Sequence, residues 1–151
     1  MSPTDTEQQQ SSQSSEETPG DSRDLRKTDV KRSILLVEDD TQSRVALSEI
    51  LSLWGYQVMA VGSAEEAEAA VEQVRPDAAL VDVFLPGWSG AALMARLRQR
   101  FPETVLIGMS ALGDSEMSRQ CKEIGADIFI SKPVTMEKLS AALRAKHVSW
   151  H

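Results

Sequence analysis

The chain has 151 residues, enough for about one domain, and its 41% hydrophobic and 26% charged residues are an ordinary globular balance. Its 23 acidic residues outnumber 16 Lys and Arg, and the resulting net charge of −7 argues against a protein that binds the phosphate backbone of nucleic acids. Cys121 is the one cysteine, which excludes an internal disulfide and a Cys-based zinc site. The sequence has no apolar run long enough for a membrane span and no signal-peptide core, so we expect a cytoplasmic protein.

The first part of the chain has the composition of a disordered tail. Residues 1–29 include only Met1 and Leu25 as hydrophobic side chains. Such a segment cannot bury enough apolar surface to offset the loss of backbone entropy on folding. We therefore expect residues 1–30 to be disordered, either as a tether for a partner or as a solvated tail, and residues 31–151 to form one compact domain.

Five short runs follow in which most consecutive positions are apolar. Runs of this kind are typical of parallel strands that are buried on both faces of a sheet. The predicted strands are Ile34–Val37, Val58–Val61, Ala78–Val83, Val105–Met109 and Ile128–Ile130.

The stretches between and after these runs have the apolar spacing of amphipathic helices. Residues suited to cap the start of a helix precede four of them, namely Asp40, Ser63, Asp114 and Thr135. Residues that end helices follow three of them, namely Gly55, Pro102 and Gly125.

Five strand–helix units in succession predict an α/β fold, a doubly wound (βα)5 domain with a parallel five-stranded sheet. Because crossovers between parallel strands are right-handed, the helices cover both faces of the sheet. The usual strand order for such a domain is 2-1-3-4-5, and ligands bind at the carboxyl ends of strands 1 and 3.

Acidic residues follow both of these strands. Strand 1 leads into Glu38 and Asp39, and strand 3 reaches Asp82. Neighbouring strands lie about 4.8 Å apart, so the three carboxylates should crowd one pocket. Like charges at that distance raise one another's pKa or recruit a cation, and Mg²⁺ is the hard divalent ion that suits oxygen ligands and phosphate.

Two further polar residues stand at the carboxyl ends of strands 4 and 5. Ser110 ends strand 4, and Lys132 follows strand 5. An Asp beside Mg²⁺ can attack phosphorus and form an aspartyl phosphate, while a lysine neutralises charge on the transferred group and a hydroxyl donates to its oxygens. The pocket therefore favours phosphoryl acceptance or the binding of Mg²⁺ together with an anion.

At this point the residues resemble a known family. From about Ser33 to His147 the chain is similar to the receiver domain of two-component response regulators, which has the flavodoxin-like fold. The motifs that carry the resemblance are ILLVEDD at 34–40, PDAALVDVFLPGWSG at 76–90, MSA at 109–111 and GADIFISKP at 125–133. Four motifs in the right order are more specific than any one of them.

The resemblance implies a role for each site residue. Asp82 corresponds to the phosphoacceptor, Asp39 to the direct metal ligand and Glu38 to the acid that holds the metal through water. The backbone carbonyl of Phe84 would complete the protein ligands. The switch hydroxyl and the family's lysine correspond to Ser110 and Lys132.

The resemblance also implies a switch and its partners. Phe129 stands at the position of the rotating aromatic residue, where Tyr is frequent. A histidine kinase or a phosphotransfer protein would donate the phosphoryl group. The surface of helix 4, strand 5 and helix 5 would then act on an unknown protein target or form a homodimer, since no effector domain follows in this sequence. We expect no direct contact with nucleic acid or membrane.

Two alternatives stay open beside this non-enzymatic switch. One is a small Mg²⁺-dependent phosphohydrolase, which commonly has a second Asp two residues beyond its nucleophile, where this chain has Phe84. The other is a receiver-like scaffold that binds partners without phosphate. For the switch itself, apolar Phe84 and Leu112 beside the pocket predict a fairly long-lived phosphoaspartate.

Overall fold

The structure is a computed structural model, and it describes residues 31–86, 90–112 and 115–145. Strands and helices alternate strictly through these residues. The strands are β1 (Ser33–Val37), β2 (Gln57–Val61), β3 (Ala78–Asp82), β4 (Val105–Ser110) and β5 (Ile128–Ser131). The helices are α1 (Thr41–Leu53), α2 (Ala64–Gln73), α3 (Gly90–Arg100), α4 (Ser115–Ile124) and α5 (Met136–Ala145).

The five strands form one parallel sheet in the order β2-β1-β3-β4-β5, which confirms the predicted fold. The pairing register aligns the carboxyl ends of the strands, with Val37 opposite Val81 and Asp82 opposite Met109. The residues that follow β1, β3, β4 and β5 are therefore brought to one edge of the sheet, which we call the carboxyl edge. The opposite edge, where these strands begin, is the amino edge.

The core lies in two layers, one on each face of the sheet. Alternate side chains of a strand point to opposite faces, and both faces of β1 and β3 are buried. One layer contains Leu35 and Val81 with the inner sides of α2, α3 and α4, and the other contains Leu36 and Leu80 with α1 and α5. The sheet is thus fixed from both sides, which gives the carboxyl edge a rigid base.

The expectation that every apolar run is buried on both faces is wrong for β2. Gln57 and Ala60 are exposed in this strand, and the remaining three residues are half-buried. The reason is topological, because β2 lies at the end of the strand order and pairs with β1 alone among the described strands. The predicted run is correct, but its environment is that of an edge strand. The expectation also fails for β5, the strand at the other end of the sheet, where Ile128 and Phe129 are half-buried.

The helix-start signals act as predicted in the described residues. The side-chain oxygens of Asp40, Ser63 and Thr135 accept hydrogen bonds from backbone N–H groups three residues later, at 2.9, 3.1 and 3.1 Å. The fourth signal, Asp114, lies outside the described residues.

The predicted stops are also correct. Gly55 and Gly125, with φ of 100° and 133°, follow α1 and α4 in the left-handed region that favours glycine. Pro102 follows α3, which ends at Arg100. No helix within the described ranges is both long enough and apolar enough to cross a bilayer.

Candidate functional site

Three carboxylates meet at the carboxyl edge, as the sequence predicts. Glu38 and Asp39 directly follow β1, and Asp82 is the last residue of the adjacent strand β3. One oxygen from each residue lies within 4.8 Å of the others. Glu38 and Asp82 are buried, with 1% and 6% of their surface exposed, whereas Asp39 is open to solvent.

Glu38 is held through its backbone and through its side chain. Its N–H donates to the carbonyl of Val61 at 3.1 Å, and its carbonyl accepts from Arg44 Nη1 at 2.7 Å. Its Oε2 accepts from the N–H of Asp40 at 3.1 Å, and its Oε1 accepts from Lys132 Nζ at 2.7 Å. The two backbone bonds hold the chain at Glu38, and the two carboxylate bonds orient its buried side chain at the base of the site.

Asp82 is positioned by three elements. Its Oδ1 accepts from the N–H of Phe84 at 3.0 Å, and its Oδ2 accepts from Lys132 Nζ at 2.8 Å. A Cβ placed on Gly90, the first residue of α3, would lie 1.8 Å from the carbonyl oxygen of Asp82. The helix therefore packs directly on the backbone of Asp82, and only glycine permits that approach.

Lys132 joins the two buried acids, because its single ammonium group donates to both Glu38 and Asp82. Burial alone would lower its pKa, but the hydrogen bonds to Asp82 and Glu38 and the negative charges of these two acids together outweigh burial and raise the pKa above 10.5. Lys132 is therefore charged at every physiological pH. The peptide bond between Lys132 and Pro133 is cis.

The ionised form of Glu38 is unfavourable in this environment. Burial raises the pKa of its carboxyl above the ordinary 4.5, and the nearby charge of Asp82 acts in the same direction. The bonds from Lys132 and from the Asp40 N–H oppose that rise without cancelling it. A cation at this edge would relieve the repulsion between the acids.

Ser110 and Phe129 lie on β4 and β5, the two strands on the other side of β3 from β1. Ser110 ends β4 and is fully buried, and its hydroxyl oxygen accepts from the N–H of Leu112 at 3.0 Å. The carbonyl of Ser110 accepts from the N–H of Lys132 at 2.8 Å, which ties the lysine segment to β4. Phe129 in β5 is half-buried against the layer formed with α2, α3 and α4.

The sequence did not identify Arg44 as a site residue. Its position six residues after Glu38 in a predicted helix has no signal of function, since an arginine on an amphipathic helix is ordinarily solvated. The structure places its guanidinium on the carbonyls of Glu38 and Asp39, at 2.7 and 3.5 Å. Its contribution becomes visible only when α1 folds back beside the end of β1.

The donor set fits a hard divalent cation. Three carboxylates converge, two of them are buried, and one lysine ammonium offsets only part of their charge. Carboxylate oxygens are the ligands that Mg²⁺ prefers, usually with several waters retained. The open side at Asp39 leaves room for such waters and for an anionic group.

Comparison with known proteins places the chain in a family. The profile described as response regulator receiver domain matches residues 34–144, so the chain belongs to this family. Receiver domains are signalling switches of two-component systems, interact with histidine kinases or phosphotransfer proteins, and bind Mg²⁺ at an acidic pocket.

Individual relatives agree with this assignment. The chain is 40% identical over 116 residues to a cyclic di-GMP phosphodiesterase of Thermotoga maritima, which covers 74% of this chain and 31% of that protein. The chain therefore spans about a third of that relative's length. It is 29% identical over 115 residues to sporulation initiation phosphotransferase F of Bacillus subtilis, with 76% and 93% covered.

A solved structure matches the fold as well. The crystal structure of a CheY-like receiver domain protein from Methanospirillum hungatei superposes with a TM-score of 0.70 and 29% identity. The match covers 79% of this chain and 98% of that one.

Proposed function

We propose that the protein is a phosphorylation-dependent switch in which Asp82 accepts a phosphoryl group with the help of Mg²⁺. The observation that carries the proposal is the position of the Asp82 carboxylate. It lies beside the acids Glu38 and Asp39 and 2.8 Å from Lys132 Nζ, at the carboxyl edge of a receiver-domain sheet.

The phosphoryl donor is a phosphohistidine of a histidine kinase or of a phosphotransfer protein. A carboxylate oxygen of Asp82 attacks phosphorus, a P–O bond forms and the P–N bond breaks. The electron pair of that bond returns to the imidazole, which takes up a proton from solvent. The N–H of Phe84 holds one Asp82 oxygen and thereby directs the carboxylate before the attack.

Glu38, Asp39 and Asp82 would hold Mg²⁺, together with the backbone carbonyl of Phe84. The ion supplies positive charge that offsets the developing charge on the phosphoryl oxygens. Lys132 supplies a second positive charge from its position between the two buried acids. When Asp82 is phosphorylated to the acyl phosphate, a mixed anhydride, Lys132 loses a carboxylate partner and gains phosphoryl oxygens to which it can donate.

The switch begins at Ser110. Its hydroxyl oxygen already accepts from the N–H of Leu112, so the hydroxyl proton is available for a phosphoryl oxygen. Movement of Ser110 toward the phosphoryl group draws the β4–α4 loop with it, and Phe129 turns inward. The change alters the surface of α4, β5 and α5, which contacts an unidentified target protein or a second copy of the chain.

We further propose that the protein is not an enzyme in the usual sense and acts in the cytoplasm without binding nucleic acid or membrane. Phosphohydrolases of this kind commonly have a second Asp two residues after the nucleophile, and this chain has Phe84 there. That difference supports a switch over a phosphohydrolase. Slow hydrolysis of the phosphoaspartate would be its only turnover.

Phosphorylation from a small donor tests the proposal. The full chain is incubated with acetyl phosphate and Mg²⁺, and its intact mass is measured by mass spectrometry. The wild type should gain one phosphate, Asp82→Asn should gain none, and the matched control Asp77→Asn should gain one. No phosphate on the wild type would contradict the proposal and favour a scaffold.

A second assay distinguishes the switch from a phosphohydrolase and from a cyclic di-GMP phosphodiesterase. The protein is incubated with a phosphate monoester and, separately, with cyclic di-GMP, the molecule in the name of one relative. Neither should be hydrolysed beyond one equivalent. Hydrolysis of many equivalents of substrate by the wild type, and of none by Asp82→Asn, would show that the protein is a hydrolase rather than a switch.

A further inference from the structure

The three acids of the site are not held in the same way. Carboxylate oxygens of Glu38 and Asp82 accept hydrogen bonds from Lys132 and from backbone N–H groups. The exposed carboxylate of Asp39 has no hydrogen bond to any other described residue. Its direction therefore depends on the backbone from which it projects.

Arg44 contacts that backbone on both sides of Asp39. Its Nη1 donates to the carbonyl of Glu38 at 2.7 Å and lies 3.5 Å from the carbonyl of Asp39. These carbonyls belong to the two peptide planes that flank Asp39. One guanidinium group thus restrains both planes, and with them the bond from which the Asp39 side chain projects.

Gly62 provides the space for this guanidinium. A Cβ at Gly62 would lie 2.9 Å from Arg44 Nη1. The N–H of Gly62 is held at 2.8 Å by Glu66 Oε1, so the β2–α2 turn has a fixed position. A methyl group at Gly62 would displace the end of the Arg44 side chain and leave the arginine itself in the sequence.

We propose that Arg44 is a positioning residue for Asp39 and that it sets the affinity of the unphosphorylated protein for its divalent cation. The inference rests on the proposed function, since it assigns a role toward the same Mg²⁺ site. Arg44 does not contact the cation. It acts through the two carbonyls, as outer groups commonly orient metal ligands.

The charge of Arg44 and its positioning effect act in opposite directions on affinity. A positive side chain near an acidic pocket repels Mg²⁺, so removal of the charge alone would tighten binding. Loss of the restraint on Asp39 would weaken binding. The direction of the change therefore distinguishes a positioning residue from a merely nearby charge.

Calorimetric titration with Mg²⁺ on the full, unphosphorylated chain measures this direction. Arg44→Met should bind Mg²⁺ about 10-fold more weakly than the wild type, at the lower end of the usual range for such groups. Arg44→Lys, which retains a donor, should recover part of the loss. Arg75→Met removes the same charge at the amino edge and should match the wild type.

Gly62→Ala makes the test independent of the Arg44 substitutions. It should weaken Mg²⁺ binding in the same direction as Arg44→Met, and the double variant should be no weaker than Arg44→Met alone. Circular dichroism and thermal melting identify folded variants. If Arg44→Met does not fold, Gly62→Ala decides the question, and if neither folds, Arg44→Lys decides by weaker binding.

The outcomes separate the inference from the proposed function. A wild type that binds Mg²⁺ and takes up phosphate, with folded Arg44→Met and Gly62→Ala that bind Mg²⁺ equally well or more tightly, would overturn the role of Arg44 alone. A wild type that neither binds Mg²⁺ nor takes up phosphate would overturn both.

Discussion

The two edges of the sheet use acidic residues in opposite ways. At the amino edge, Asp77 and Asp127 stand one residue before β3 and β5. Their Oδ2 atoms accept from the backbone N–H groups of Ser33 and Leu106, at 2.7 and 2.9 Å. Each of these acids thus connects two neighbouring strands at the point where the strands begin.

An arginine completes the amino edge. Arg98 donates to Asp127 Oδ2 at 2.6 Å and to the carbonyls of Pro102, Thr104 and Gly125, at 2.7 to 3.1 Å. One guanidinium therefore links the end of α3 to the loops before β4 and β5. The positive charge of Arg98 is paired with the carboxylate of Asp127, and its remaining N–H groups donate to backbone carbonyls.

At the carboxyl edge three acids converge, one lysine is shared by only two of them, and burial disfavours the charge on Glu38. The same residue types thus stabilise the fold at one edge and repel one another at the other. The difference shows that the chemistry of the site comes from crowding and shared partners rather than from the acids themselves. Removal of the charge of Asp127 at the amino edge and of Glu38 at the carboxyl edge should accordingly change stability in opposite directions.

The largest effect should come from Gly90→Ala, which tests how closely the carboxyl edge is packed. The added methyl group would meet the Asp82 carbonyl oxygen at 1.8 Å, so the backbone must shift. We expect a loss of about 3 kcal/mol in the free energy of unfolding and impaired phosphoryl uptake. Chemical denaturation measures the loss.

Gly108→Ala is the matched control for this substitution. Its Cβ would lie 3.4 Å from Cys121 Sγ, an ordinary contact distance. We expect a change below about 1 kcal/mol. Equal effects of the two substitutions would mean that the approach of α3 to Asp82 is not a special constraint.

A smaller loss should follow at the amino edge from Asp127→Asn. The amide can still accept from the Leu106 N–H, but the charge opposite Arg98 is removed. Because both side chains are nearly a third exposed, at 27% and 30%, we expect a loss of about 1–2 kcal/mol. Glu123→Gln breaks the exposed pair with Arg119 and should cost less than about 0.5 kcal/mol in the same denaturation experiment.

Glu38→Gln should instead increase the free energy of unfolding in the absence of divalent cations. A pKa raised in the folded state stabilises the fold below the unfolded value of 4.5, and that contribution is lost as pH rises through the folded pKa. The glutamine side chain cannot ionise, so the variant does not lose stability in this way. Its free energy of unfolding should therefore exceed that of the wild type as pH rises above 4.5. Lys132 has a pKa raised above 10.5 and does not titrate in this range.

Thermal melting in EDTA between pH 4 and pH 8 (about the range in which buried carboxyls titrate) measures this difference. Added Mg²⁺ should then stabilise the wild type more than Glu38→Gln, because a ligand that binds only the folded state raises its stability and the variant retains two of the three acids. A variant that is less stable than the wild type at every pH would show that the ion pair with Lys132 outweighs the burial of Glu38.

The smallest effect concerns the lifetime of the phosphorylated site. The side chains of Phe84 and Leu112 are 53% and 59% exposed on the loops that follow β3 and β4. If they hinder the attacking water, the double substitution Phe84→Ala and Leu112→Ala should speed loss of phosphate about 3- to 10-fold, or roughly 1 kcal/mol in activation free energy. Leu53→Ala, at an 85% exposed position on α1, should leave the rate unchanged.

Intact mass measured against time after removal of acetyl phosphate gives the lifetime. An unchanged rate in the double variant would mean that water reaches the phosphorylated Asp82 by another path. The predicted long lifetime of the wild type would then need a different cause.

Much of the fold could be predicted because its signals are local. Apolar runs, helix spacing and the caps at Asp40, Ser63 and Thr135 depend on neighbouring residues, and the handedness of crossovers then limits the topology. The carboxyl ends of the strands also had to meet at one edge, so the meeting of Glu38, Asp39 and Asp82 followed from the strand order. The environment of β2 did not follow, because exposure depends on what lies beside a strand.

The sequence by itself thus determined the order of the strands and helices, the acids at the carboxyl edge and the lysine that follows β5. Only the tertiary structure decided how each charge is partnered: Lys132 between Glu38 and Asp82, Arg98 beside Asp127, and Arg44 on the carbonyls that flank Asp39. The physical reason is the distance along the chain over which each interaction acts. Capping and periodicity act within a few residues along the chain, whereas a pKa or an ion pair depends on groups that the fold brings together from distant positions.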